Sequence, residues 1–259
     1  MTCLRSAVLA PLLEAHAVRK AQTTLALDIA LPVDADAAIE APHGIPGRPP
    51  RPDLVPHGQL EQRSVATLEG RAALVHSIAH IEFNAIDLAL DIVWRFPGMP
   101  EAFYRDWVSI AREEARHFTL LRDHLVTIGF DYGSFRAHNG LWEMAEKTNA
   151  DLLARIALVP RTLEARGLDA SPMVRKKLIS VGDHKAGAIL DVILKDEIGH
   201  VAVGNRWYRF LCARRGLDPV VTYAELSDRY KAPHLRGPFN LEARRAAGFD
   251  EEELAALGR

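Results

Sequence analysis

Between residues 67 and 216 the apolar positions recur every three or four residues, and no segment sustains the two-residue alternation of a half-buried strand. Four long helices are predicted. The first runs from about Thr67 to Trp94, with Thr67 as its N-cap, and Phe96-Pro97-Gly98-Met99-Pro100 stops it. The second starts near Glu101 behind Pro100 and ends before Gly129. The third runs from about Gly140 to Arg166, with Gly167 as its stop; Ser171-Pro172 then opens a short helix that ends at Gly182. The fourth begins near Asp183 and continues to about Arg214, with Gly216 beyond its end. Residues 1–30 read as one or two helices. Residues 31–58 hold Pro32, Pro42, Pro46, Pro49, Pro50, Pro52 and Pro56, which forbid a regular element and leave an extended arm. Thr222-Tyr223-Ala224-Glu225 matches a capping box for a later short helix, and the last twenty or so residues read as one or two surface helices. The expected architecture is all-α: a helical and extended arm over 1–58, a four-helix bundle over 59–216, and a C-terminal helical extension over 217–259 packed on the bundle.

Composition narrows the function classes. Of 259 residues, 48% are apolar and 25% charged, enough for one sizeable core. The net charge of −2 and the dispersed Lys and Arg give no footprint for nucleic acid, so such a partner is not established. No run approaches the roughly 20 apolar residues of a membrane span. Cys3 and Cys212 are too few for a disulfide framework, which favours a reducing compartment. Arg5, the run from Ala7 to Leu13 and Ala15-His16-Ala17 imitate a signal peptide, but Pro11 and Glu14 interrupt it, so a cytoplasmic location is expected.

The chemistry lies on the predicted core faces. Helix two carries Glu114-Ala115-Arg116-His117 and helix four carries Glu197-Ile198-Gly199-His200, both Glu-x-x-His. Positions three apart share a helix face, so each pair can present a carboxylate oxygen and an imidazole nitrogen to one point. With 17 Glu and 11 His in the chain the motif alone carries little weight. Its surroundings carry more. Glu114 and His117 share a face with Phe103, Trp107, Ile110, Ala111, Phe118 and Leu121, and Glu197 and His200 share one with Ala186, Leu190, Ile193 and Val201. A carboxylate in such a stripe must be neutralised, paired or metal-bound. Glu82 repeats the pattern on helix one. It lies 16 residues before Gly98 and Glu114 lies 16 after it, so a hairpin turning there sets both acids at one height.

Helix three should supply one more carboxylate. Glu164 is the first candidate, because it stands 33 residues before Glu197 just as Glu82 stands 32 before Glu114; Glu143, Glu146 and Asp151 are substitutes. Pro160 interrupts the helix just upstream and frees the carbonyl of Ile156. The set Glu82, Glu114, His117, Glu164, Glu197 and His200 is that of di-iron or di-manganese carboxylate bundles. Carboxylates with one imidazole per metal suit iron or manganese. The simpler reading of each pair alone is a buried ion pair, with Arg161 or Lys195 as counter-ion. His80, His76, His124 and His184 read as flanking, polar-face or core-edge residues. Asp87 and Asp191 read as solvated or as partners of ligand histidines, and Trp107, Trp142, Trp207 and Tyr208 as packing.

Several segments resemble a known family: His80-Ile81-Glu82-Phe83, Phe103-Tyr104-Arg105-Asp106-Trp107, Glu113-Glu114-Ala115-Arg116-His117-Phe118, Leu141-Trp142-Glu143-Met144, Glu164-Ala165-Arg166-Gly167, Asp196-Glu197-Ile198-Gly199-His200 and Pro238-Phe239-Asn240-Leu241. The resemblance spans roughly residues 45–250. The family is a bacterial ferritin-like one of the di-iron carboxylate superfamily, known as domain of unknown function four-five-five. The resemblance implies a ferritin-like bundle and metal ligands at Glu82, Glu114, His117, Glu164, Glu197 and His200, with the four carboxylates also the catalytic set. The expected cofactor is two iron ions, with manganese or a mixed manganese–iron pair as the alternative. The expected activity is an oxidoreductase using dioxygen to oxidise or hydroxylate an organic substrate. With no Gly-rich nucleotide fingerprint after a strand, reducing equivalents would come from a separate electron-donor protein. A homodimer is compatible with this reading. The alternatives are a ferroxidase, metal-handling or peroxide-scavenging protein, a tRNA-modifying hydroxylase by distant likeness, and a scaffold with a structural metal site.

Overall fold

The computed structural model of the chain describes residues 3–40 and 42–257. Among these the regular elements are helical, apart from one isolated parallel bridge between Leu54 and Ala137. The all-α expectation holds. No helix among the described residues is long and apolar enough to cross a membrane. The chain divides into two compact units, Met1–Gly140 and Leu141–Arg259.

The first unit is built on a hairpin of α4 (Leu68–Arg95) and α5 (Glu101–Thr127), preceded by α1 (Leu4–Ala7), α2 (Leu9–Leu13) and α3 (Ala17–Leu25). Thr67 caps α4 as expected, its Oγ1 accepting from the Gly70 amide at 3.1 Å. Gly98 turns the hairpin at φ +75°, in the left-handed region that a side chain would disfavour. From Glu82 to Trp94 every residue of α4 is buried, so this helix is covered on all sides rather than along one stripe. The N-terminal helices supply part of that cover. Arg5 is buried and donates to the carbonyls of Val93 (3.2 Å) and Trp94 (2.7 Å), filling acceptors that the end of α4 leaves open. Among its described residues the Pro-rich stretch has no helix until a short 3-10 turn at His57–Gln59, as its composition demands. It is held by the bonds Val55 N–H to Ala137 O (2.8 Å) and Ala137 N–H to Asp53 O (3.1 Å).

The second unit contains α6 (Gly140–Lys147, whose first residue closes the first unit), α7 (Leu152–Leu158), a π-helical segment (Val159–Glu164), α8 (Ala165–Ser180), α9 (His184–Arg215), α10 (Pro219–Arg229), α11 (Leu241–Ala246) and α12 (Glu251–Ala255). Helix α9 matches expectation, with Asp183 as N-cap and Gly216 as a left-handed C-cap at φ +65°. The third predicted helix does not. It breaks before Asp151, which caps α7 through the Ala154 amide at 3.2 Å. It then runs through both Gly167 and Pro172 to Ser180. A proline inside a helix leaves the carbonyl four residues earlier without its amide. Here that carbonyl, Leu168 O, accepts instead from Asn240 Nδ2 at 3.2 Å, a partner 72 residues away. The capping box at Thr222 is also corrected. Asp218 caps α10 through the Val221 amide at 2.9 Å, with Pro219 at its first position, and Thr222 is buried in the helix interior. The last two helices are more than surface pieces. Ala243, Ala247, Phe249 and Leu254 form a core with Ala165, Leu168 and Val201.

Candidate metal centre

The hairpin register brings acid and imidazole together in the first unit. Glu82 comes from the middle of α4, and Glu114 and His117 from successive turns of α5. His117 Nδ1 lies 3.2 Å from Glu82 Oε2 and 3.5 Å from Glu114 Oε2. All three side chains are buried, and each offers a ligand atom within 4.8 Å of the others. Phe83 and Phe118, adjacent in sequence to Glu82 and His117, pack ring to ring at 5.4 Å. Burial opposes a charge on His117, yet the hydrogen bonds and charges of Glu114 and Glu82 outweigh it and carry its pKa up to about 11. Two carboxylates thus enforce a cation at this point, and a divalent ion meets the same need with the proton displaced. The donor set, two hard carboxylate oxygens and one imidazole, suits a divalent cation. A buried group of Glu and His residues that could hold a metal ion is therefore present.

The second unit repeats the motif. Glu197 and His200 are both buried on α9, with His200 Nδ1 3.4 Å from Glu197 Oε1. Glu164 is half-buried and ends the π-helical segment. That segment has a local cause. Pro160 supplies no amide, Ala165 N–H bonds Pro160 O with the wider π spacing, and Thr162 Oγ1 donates to Ala157 O at 2.7 Å. Gly204 of α9 faces it, where a Cβ would stand 3.2 Å from Pro160 Cβ. Of the substitutes for Glu164, Glu143 and Glu146 are exposed, Glu146 accepting from Trp142 Nε1 at 2.9 Å, while Asp151 serves as the α7 cap.

Of the other residues, some stand where expected and some do not. His80 is buried, its Nδ1 2.8 Å from the Tyr132 hydroxyl and its Nε2 3.1 Å from His138 O. Burial holds it neutral, with a pKa near 3. His76 is fully buried and His184 is exposed. Asp191 pairs with exposed Arg175, and Asp87 is buried against Lys20. Trp107, Trp142, Trp207 and Tyr208 are core residues as read. Arg161 is not the counter-ion of either Glu-x-x-His pair. It pairs instead with Glu253 and donates to Asn205 Oδ1 at 2.9 Å. This cluster is not legible from local pattern, because its partners stand 44 and 92 residues away.

The fold and the buried acid–imidazole group define an all-helical protein equipped to bind a metal ion. The family described as "Protein of unknown function (DUF455)" matches residues 10–255, and the chain belongs to it. An uncharacterised protein of Haemophilus influenzae is 50% identical over 213 residues, covering 80% of this chain and 74% of the relative. No solved structure matches the chain with significance.

Proposed function

We propose that the protein is a di-metal carboxylate oxidoreductase, activating dioxygen to oxidise or hydroxylate an organic substrate. Glu82, Glu114, His117, Glu164, Glu197 and His200 would hold two iron ions, or manganese in place of one or both. The observation that carries this reading is the buried trio of Glu82, Glu114 and His117, matched by a second Glu-x-x-His at Glu197 and His200. Bound redox-active metal would supply the electrons and the site for dioxygen. The chain's own contribution is narrower. The carboxylates would set the charge, and each imidazole would fix one ligand direction; Glu82, Glu114, His117, Glu197 and His200 are all buried.

Purified protein is expected to carry about two iron or manganese ions per chain, as in di-metal carboxylate bundles. Glu114→Ala should reduce this sharply, read by elemental analysis. Metal content unchanged in that variant removes the assignment. Oxygen uptake by the ferrous form, with and without fractionated small molecules, separates the oxidoreductase from a ferroxidase. Uptake that no organic fraction accelerates favours the ferroxidase.

A further inference from the structure

The second unit holds a cavity of about 620 Å³, bounded by α10, the loop that follows it, and α11–α12. That volume lies within the range of small-molecule sites. Its walls include Arg161, Tyr223, Ser227, Arg244, Phe249 and Leu257. Two of these bring buried charge. Arg244 is fully buried between the rings of Phe239 (5.4 Å) and Phe249 (5.3 Å). Its Nε and Nη2 donate to Asp169 at 3.0 and 2.6 Å, but its Nη1 is buried with no hydrogen-bond partner. The Ser227 hydroxyl is likewise buried and without a partner. Arg161 lies over Tyr208, Tyr223 and Phe249 at 4.6 to 5.0 Å.

Leaving a buried donor unsatisfied costs roughly 1–3 kcal/mol, and native folds rarely tolerate it without a reason. Arg161 is paired with Glu253 and Arg244 with Asp169, and at the rim Lys231 meets Asp228 at 3.4 Å. The spare donors of Arg244 and Ser227 stand beside the apolar walls of Phe249 and Leu257.

We propose that this cavity binds a small monocarboxylic acid with an apolar body, its carboxylate taking up the spare donors of Arg244 and Ser227 and its body lying along Tyr223, Phe249 and Leu257. The wall is tied to the π-helical segment, because the Tyr223 hydroxyl meets Thr162 Oγ1 at 2.9 Å, two residues before Glu164. The proposal goes beyond the metal reading and does not depend on it.

Titration calorimetry with octanoate, octan-1-ol and octylamine tests it on the full chain after chelator treatment. Octanoate should bind at one site, at least tenfold more tightly than octanol, with octylamine weakest. Ala224→Trp puts bulk into the cavity from an exposed position on α10 and should abolish octanoate binding with the helical content unchanged. Equal affinity for octanol and octanoate, no octanoate binding, or full binding by Ala224→Trp would each overturn the proposal.

Discussion

Lys20 and Asp87 form an ion pair with both side chains fully buried, and Lys20 also donates to Leu12 O at 3.1 Å. Burial pushes the Asp87 carboxyl up, against the pull of Lys20, so this contact positions α3 on α4 more than it stabilises the fold. It was hidden in the sequence because its members lie 67 residues apart, whereas Glu82, Glu114 and His117 could be read from helical period and the cost of a buried charge. His76 supplies a pH test. Gly133 N–H donates to its Nε2 at 2.9 Å, and its ring stacks on Tyr132 at 5.4 Å. Burial lowers its pKa from 6.5 to about 4. The unfolded chain therefore takes up a proton between those values while the folded one does not. Stability from His76 is complete above pH 6.5 and declines as the pH falls toward 4, by about 3 kcal/mol at most. Urea unfolding of the wild type and of His76→Leu at pH 7, 5 and 4 should show a smaller acid loss in the variant. Parallel losses in both would show that His76 is not the group responsible.

At the scale of the element, helices α4, α5 and α9 were legible because their caps and stops are local: Thr67, Gly98, Asp183 and Gly216 act on their own neighbours. The segment 140–180 was not. Gly167 and Pro172 are stop signals only while no distant group answers the freed carbonyl, and Asn240 answers it. The same Asn240 caps α11, its Oδ1 accepting from the Ala243 amide at 3.2 Å, and its own amide donates to Asp169 Oδ1 at 2.9 Å. One residue thus closes α11 and holds α8 unbroken across Pro172. Asn240→Ala should cost about 2 kcal/mol, the sum of a lost cap and a stranded carbonyl. Hydrogen exchange should quicken in α8 around Leu168–Pro172 as well as in α11. Loss of protection confined to α11 would mean that α8 tolerates its proline by other means.

Across the whole molecule the sequence carries one pattern twice. Glu82 with Glu114-x-x-His117 belongs to the unit Met1–Gly140, and Glu164 with Glu197-x-x-His200 to the unit Leu141–Arg259. The family match over residues 10–255 takes in both. The repeat is readable because the spacing of its acids and imidazoles is itself a property of the sequence. The unit boundary was not, since it depends on which helices pack together rather than on a change in composition. If both copies bind metal, then metal binds the folded chain alone, and its removal must lower stability by mass action. At free metal a hundredfold above the dissociation constant the expected gain is about 2.7 kcal/mol per ion, which for a chain of this size corresponds to several degrees in Tm. Calorimetric melting before and after chelation should show that drop, and re-addition of ferrous or manganous ion should restore it. Glu114→Ala and Glu197→Ala, made separately, should each shrink the metal-dependent shift. A shift that survives in Glu197→Ala while it vanishes in Glu114→Ala would confine the metal to the first unit, and no shift in the wild type would deny it to both.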